Sequence, residues 1–349
     1  MSTVREQDQT AAESEKQGAS PVKFYETMHA YQRTAALKAA IDLELFTAVG
    51  ETTGSLREIS QRIKAPERGV RALCDFMVVS GFLNKDLEAS RYNLTPDSAV
   101  FLHKRSPAYV GCATVFLASP FVTEAFTDLA SVVRAGGPFP ADRRIDMENP
   151  AWVDFARGMA PVIYPVAEQT EKLVRTNSEM RVLDVAAGHG LFGIAIARQN
   201  TRARVVALDW PSVLTVTKEN AEHYGVYDRY LLLAGNALEV SFGDGFDVVL
   251  AANLLHHWDR ETIQVFLRKA HAALVPGGRI VVVEFAPNDD RVSPPLPASF
   301  AMNMFANTPG GDAYTASEHV DMLGKAGFAS CAVHSLQPTP QTAIVATRP

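Results

Sequence analysis

The chain is 349 residues long, enough for two domains that each bury a core of their own. Hydrophobic residues make up 47% and charged residues 21%, values of an ordinary globular protein that exclude a fibrous or largely disordered class. The formal net charge of -6 offers no whole-molecule positive field to gather nucleic-acid phosphates, and Cys74, Cys112 and Cys331 have neither zinc-site spacing nor the even count of a disulfide framework.

Residues 1–20 are polar and charged, lack the apolar run of a secretory signal, and are expected to form a flexible tail. The least polar long stretch, Tyr109 to Phe126, is interrupted by Ser119, Pro120, Thr123 and Glu124 and falls short of a membrane span, so a cytoplasmic protein without a membrane partner is expected. From Phe24 to about Phe101 the pattern is helical. Ser55 with Glu58 three residues on predicts a capping box, opening a helix with Leu56, Ile59 and Ile63 on one face. A second helix begins at Pro66, sets Val70, Leu73, Cys74, Met77 and Val78 at helical spacing, and stops at Gly81. "FLNKDLEASRYNLTPDSAVFL" then alternates about a polar turn, as a small hairpin does. Two helices and a hairpin give a winged helix-turn-helix outline over residues 21–105. Few basic residues beyond Arg68 and Arg71 lie on the second helix of this acidic chain, which disfavours DNA recognition; the Ala- and Leu-rich "TAALKAAIDLELF" suits a dimer interface instead.

Residues 106–175 read as a helical linker, broken by the Gly- and Pro-containing "RAGGPFPADRR", which marks a turn or hinge. Over residues 176–349 the apolar runs RVLDVA, ARVVALD, RYLLLAG, FDVVLAAN and GRIVVVEF alternate with amphipathic segments. This predicts an α/β fold with a doubly wound parallel sheet. The last two runs, around "SCAVHSL" and "QTAIVAT", are separated only by a "QPTP" turn and should pair as an antiparallel hairpin on one sheet edge.

The first of these strands ends in "LDVAAGHG". Gly188 and Gly190 allow close backbone approach, and a helix beginning near Leu191 points its N–H groups at whatever binds. The second strand ends in Asp209, nineteen residues after Gly190, where an acid can accept both hydroxyls of a ribose. A dinucleotide enzyme calls for GxGxxG, whereas "DVAAGHG" has fewer glycines and keeps an acid at the strand tip, which repels pyrophosphate and suits a cationic ligand.

Taken in order, Asp184 to Gly190, Asp209, "GNA", "LLHHW" and "LVPGGRIVVVEF" resemble the class I S-adenosylmethionine-dependent methyltransferases, whose Rossmann-like sheet also carries a C-terminal antiparallel hairpin. With the winged helical region added, nearly the whole chain after residue 24 resembles the dimeric O-methyltransferases of the caffeate and polyketide type. The resemblance implies S-adenosylmethionine as cofactor, S-adenosylhomocysteine as product, a hydroxylated small-molecule substrate and a homodimer formed through the N-terminal domain. Asp184, Gly188 and Gly190 would surround the methionine part of the cofactor, and Asp209 the ribose. Trp210, Asn236, Ala237 and Asn253, beside the strand ends, complete the implied cofactor set. Asn236 stands where the family has Asp, so it would accept from the adenine amine through its amide oxygen, and Ala186 replaces the first loop glycine.

The family's general base maps onto His256 in "HHW", with His257 at the position of an Asp, and the acid that orients the base maps onto Glu284. A phenol with pKa near 10 is only about 0.1% ionised at neutral pH, so a neutral imidazole within reach removes its proton as the methyl transfers. Both positions also admit a plainer role, loop packing for His256 and a strand-end carboxylate held by backbone N–H groups for Glu284. The family's second acid falls on "GGDAYT", where Ala313 replaces it and the Asp312 side chain should point elsewhere. Phe155, Met159, Met302, Met304 and Phe305 lie in segments the family uses for substrate, with a packed helix core as the alternative. No cluster has metal-ligand spacing, and no metal is expected. Loss of the second acid keeps N- or C-methylation, or a cofactor-assisted reaction without methyl transfer, in view; a winged-helix regulator sensing S-adenosylmethionine is the non-enzymatic alternative.

Overall fold

The computed structural model describes residues 19–138 and 149–349, so most of the expected tail and the second half of "RAGGPFPADRR", from Phe139 on, lie outside the described residues. The chain divides into two compact units between Tyr109 and Val110. The first unit contains helices α1 (Val22–Met28), α2 (Ala30–Asp42), α3 (Leu45–Gly50), α4 (Leu56–Ile63) and α5 (Glu67–Val79). The hairpin β1 (Leu83–Asp86) and β2 (Arg91–Leu94) and a short α6 (Pro96–Phe101) follow. Leu83 faces Leu94 and Asp86 faces Arg91, as the alternation about a polar turn predicts. The expected apolar faces of α4 and α5 meet there: Ile59, Val70, Cys74 and Met77 share a core with Leu45, Phe46 and Tyr92. The capping box at Ser55 is only half made. Ser55 Oγ accepts the Glu58 N–H at 3.4 Å, but the Glu58 carboxylate turns back to the Thr53 N–H at 2.9 Å. Both halves of such a box occur instead at Thr315 and Glu318.

The second unit opens with short helices α7 (Thr114–Leu117), α8 (Pro120–Thr123) and α9 (Leu129–Ala135), then α10 (Ala151–Val174), one 24-residue helix that runs through Pro161 and Pro165. The sheet alternates with helices in the order β3 (Met180–Val185), α11 (Leu191–Gln199), β4 (Ala203–Asp209), α12 (Pro211–His223), β5 (Tyr230–Ala234) and β6 (Phe246–Ala252). Then come α13 (Arg260–Ala273), β7 (Leu274–Glu284), α14 (Pro295–Asn307), α15 (Ala316–Lys325), β8 (Ala329–Ser335) and β9 (Thr342–Thr347).

All seven apolar runs are strands of one sheet, ordered β5-β4-β3-β6-β7-β9-β8. The first five are parallel, and β9 pairs antiparallel with both β7 and β8, which leaves β8 at the edge. Alternate residues feed opposite layers. Leu183, Val249 and Val282 pack towards Phe266, Leu267 and Met322, whereas Val182, Val248 and Val281 pack towards Ile163 and Ile194. Burial on both faces is why these strands read as continuous apolar runs. The chain steps outward from β3 to β5, then returns to the other side of β3 at β6. That reversal opens a crevice at the C-terminal ends of β3 and β6, where an open α/β sheet binds its ligand.

Candidate active site

At the first edge of this crevice, Asp184 and Asp209 end adjacent strands, and both are buried. Among the described residues their hydrogen-bond partners are backbone amides. Asp184 Oδ2 accepts from Gly193 at 3.1 Å, and Asp209 accepts from Gly188 at 2.8 Å and Trp210 at 2.7 Å. Burial pushes Asp184 up to about 7, helped by the neighbouring Asp209 charge and opposed by the Gly193 amide. It pushes Asp209 up to about 6 against its two amide donors. The loop between them is strained at Ala186, whose φ of 53° a glycine would adopt without penalty. Thr217 Oγ1 and Asn220 Nδ2 hold the carbonyls of Gly188 and His189 from α12, at 2.7 and 2.8 Å. His189 is buried, its Nδ1 accepting the Leu191 N–H at 3.2 Å, and burial lowers its pKa to about 4.

Gly193 completes a G-x-G-x-x-G run that the stretch ending at Gly190 stops short of. A Cβ there would lie 2.8 Å from the Tyr230 hydroxyl and 2.9 Å from Val205, so the third glycine seats α11 against the sheet. Asn236 Oδ1, expected to face an adenine amine, accepts the Leu238 N–H at 2.9 Å. Ala237 is buried in the sheet core, and Trp210 is half-buried against Val213 and Val216. Asn253 sits at φ 52° just past β6, and its buried Oδ1 has no hydrogen-bond partner among the described residues.

Across the crevice the loop after β6 presents His256, and Glu284 ends β7. His256 Nδ1 meets Glu284 Oε2 at 2.5 Å. The other carboxylate oxygen, Oε1, accepts the N–H groups of Leu254, Leu255 and His256 at 3.0, 2.7 and 3.4 Å. The two roles considered for Glu284 therefore coexist, one on each oxygen. Burial alone would raise this carboxyl, but the facing His256 ring, its hydrogen bond, His319 and the Leu255 amide together hold it below the usual carboxylate value. An ionised Glu284 at Nδ1 fixes the tautomer that leaves Nε2 of His256 free to take a proton. His257 is held far below the ordinary histidine value by burial and by the His256 ring beside it.

Gly311 closes the back of this loop: a Cβ there would fall 2.2 Å from the His256 carbonyl oxygen. Its neighbour Asp312 turns away to Arg291 at 2.9 Å, and Ala313 is buried. His319 was not singled out by any motif. It is a histidine on the apolar face of α15, buried with Met322 and Leu323, and burial lowers its pKa against the pull of the nearby Glu284.

The expected substrate residues are distributed unevenly. Phe155 belongs to a run of touching rings: Phe116 to Phe155 at 5.1 Å, Phe155 to Trp152 at 6.4 Å, Trp152 to His257 at 5.6 Å and His257 to His256 at 4.3 Å. Phe300 continues it, 5.0 Å from His256. Met304, one turn on from Phe300, is buried, whereas Met302 is 45% exposed, Phe305 is half-buried and Met159 packs on the α10 and α11 layer. Trp152 and Phe300 complete the wall although no motif marks either.

Residues 120–329 match the model of the O-methyltransferase domain, and residues 25–104 match the O-methyltransferase dimerisation domain. The chain belongs to the O-methyltransferase family. It is 27% identical over 299 residues to the 3-hydroxy-5-methyl-1-naphthoate 3-O-methyltransferase of Streptomyces sahachiroi, covering 84% of this chain and 86% of that one. Among solved structures, a protein assigned as an O-methyltransferase from Nostoc punctiforme superposes with a TM-score of 0.90 at 44% identity, over 95% of this chain and 99% of that one. Human N-acetylserotonin methyltransferase, solved with S-adenosylmethionine, shares the fold at a TM-score of 0.82 and 19% identity, over 95% of this chain and 99% of that one.

The methyltransferase cofactor is S-adenosylmethionine, and the residues at the β3 and β4 ends fit it. Two buried acids with only amide partners leave negative charge that a sulfonium and an ammonium offset, and the Asn253 Oδ1 has a vacant lone pair. No helix among the described residues is long and apolar enough to cross a membrane.

Proposed function

We propose that this methyltransferase transfers a methyl group to a hydroxyl on an aromatic or polyketide-like small molecule, with His256 as general base and Glu284 as the residue that orients it. The observation that carries the reading is the 2.5 Å contact of His256 Nδ1 with a Glu284 carboxylate held ionised. When bound, S-adenosylmethionine supplies an already activated methyl carbon, so much of the rate comes from alignment. Asp184, Asp209, Gly188, Gly190 and Asn253 orient the donor. The ring wall of Phe155, Trp152 and Phe300 stacks a flat acceptor. His256 Nε2 accepts the hydroxyl proton as the oxygen attacks, and the resulting imidazolium is stabilised by Glu284 at Nδ1. Met302 and Phe305 would contribute from the outer part of the wall.

The functional unit is a homodimer through the first unit. Val22, Phe24, Tyr25, Met28 and Tyr31 are each more than half exposed, an apolar surface that a second copy would cover. Transfer of a labelled methyl group to a series of phenols tests the base. His256→Ala should lower turnover about 10²–10⁴-fold on weakly acidic phenols and much less on phenols that ionise near pH 7. An equal and small loss across the series would remove His256 from the proton transfer.

A further inference from the structure

One ring of the wall carries an indole N–H. The indole Nε1 of Trp152 is buried and has no hydrogen-bond partner among the described residues. A buried tryptophan N–H normally finds an acceptor, and leaving one unmade costs about 1–3 kcal/mol. The ring neighbours supply none: Phe121 lies 5.3 Å away and Phe155 6.4 Å, both hydrocarbon, and His257 meets the indole nearly at right angles, 88°, with no hydrogen bond. His257 in turn touches His256. The unsatisfied donor therefore stands one ring away from the proposed base.

We propose that Trp152 is a specificity-determining residue whose indole N–H donates to a carbonyl oxygen of the aromatic acceptor, in addition to the hydroxyl that is methylated. The inference rests on the methyltransferase reading of the same site. It narrows the substrate class from any phenol to an aromatic that carries both a hydroxyl and a carbonyl. A site built around a buried hydrogen-bonding group rejects the analogue that lacks the partner, because the group is then left unpaired. Asn307, two turns beyond Phe300 on α14, is tied to the same wall through its Nδ2 contact with the Val122 carbonyl at 3.3 Å.

The test pairs two acceptors of equal size, 3-hydroxyacetophenone and 3-ethylphenol, with the wild type, Trp152→Phe and Phe155→Leu. For each protein, kcat/KM is measured for both, and affinity for both is measured calorimetrically with S-adenosylhomocysteine bound. Because the carbonyl also changes phenol acidity, the decisive quantity is the change in the ratio between the two acceptors on mutation. The wild-type preference for the ketone should fall roughly tenfold to hundredfold in Trp152→Phe, through loss on the ketone alone. Phe155→Leu, which removes ring area and no polar atom, should weaken both acceptors alike. Equal loss on both in Trp152→Phe, an unchanged ratio, or binding of neither compound to the wild type would overturn the proposal. Should the wild type bind the pair but methylate neither, the transfer reading fails while the binding ratios still decide the role of Trp152.

Discussion

The two sides of the crevice are built on different principles. On the proposed donor side, the crevice is lined by backbone amides and carbonyls of one short loop, held by Asp184 and Asp209 at the tips of adjacent strands. On the proposed acceptor side, side chains come together from five separate segments, Phe116, Trp152, His256, Glu284 and Phe300. A cofactor common to many acceptors can be met by a fixed backbone cradle. An acceptor that varies is met by side chains, which change without moving the sheet.

Breaking the acceptor side alone should be possible through Gly311. Replacing it with Ala forces a Cβ to within 2.2 Å of the His256 carbonyl oxygen, and the loop has to shift. We expect a loss of about 3 kcal/mol in stability and of nearly all turnover, with donor affinity retained; thermal unfolding and calorimetry together read this. The converse break is Asp209→Ala, which removes the acceptor for two loop amides as well as a charge. Donor affinity should fall about 10²-fold, while the His256 to Glu284 contact stays intact. Glu284→Gln sharpens the comparison within the acceptor side. The amide can still hold the loop N–H groups through one atom but no longer fixes the base tautomer, so turnover should drop about 10²-fold with little change in donor affinity.

The buried acids give a pH signature confined to the donor side. Their folded-state values, about 7 for Asp184 and about 6 for Asp209, stand above the ordinary 3.8. A carboxyl raised by folding costs the ligand-free protein stability as it ionises, so its unfolding temperature should fall as pH rises from 4 through 7. Because the ionised pair suits a cationic donor, the unfolding-temperature shift produced by S-adenosylmethionine should grow over the same range. A shift independent of pH would show that the acids do not face the donor's charge. The smallest effect is expected at Ala186→Gly, which relieves a left-handed residue but loosens the unfolded chain, for a net gain below about 1 kcal/mol in thermal unfolding.

Most of the donor side was legible in the sequence because its requirements are local. Small residues must follow a strand, an acid must end the next one, and both fall at fixed spacing. Gly193 belonged to the same pattern and is the residue that a reading stopped at Gly190 leaves out. The expected capping box at Ser55 failed on a contest that spacing cannot express, since Thr53 offers Glu58 both an N–H and a hydroxyl. On the acceptor side, Asp312 and Ala313 behave as expected from the sequence: adjacent in the chain, one turns out to Arg291 and the other is buried.

The sequence by itself determined the seven strands, the helix after the glycine loop, the glycine loop itself and the positions of His256 and Glu284, because periodicity, glycine placement and strand-end acids are properties of neighbouring residues; the stretch after β7, which reads as a long Pro-containing loop, folds instead into α14 (Pro295–Asn307). Only the tertiary structure decided that β9 lies inside β8, that the two oxygens of Glu284 divide their partners, and that Trp152, Phe300 and His319 stand near the His256–His257 pair. Those outcomes depend on how helices more than a hundred residues apart pack over one sheet edge, and packing is a property of shapes in contact that no single stretch of chain contains.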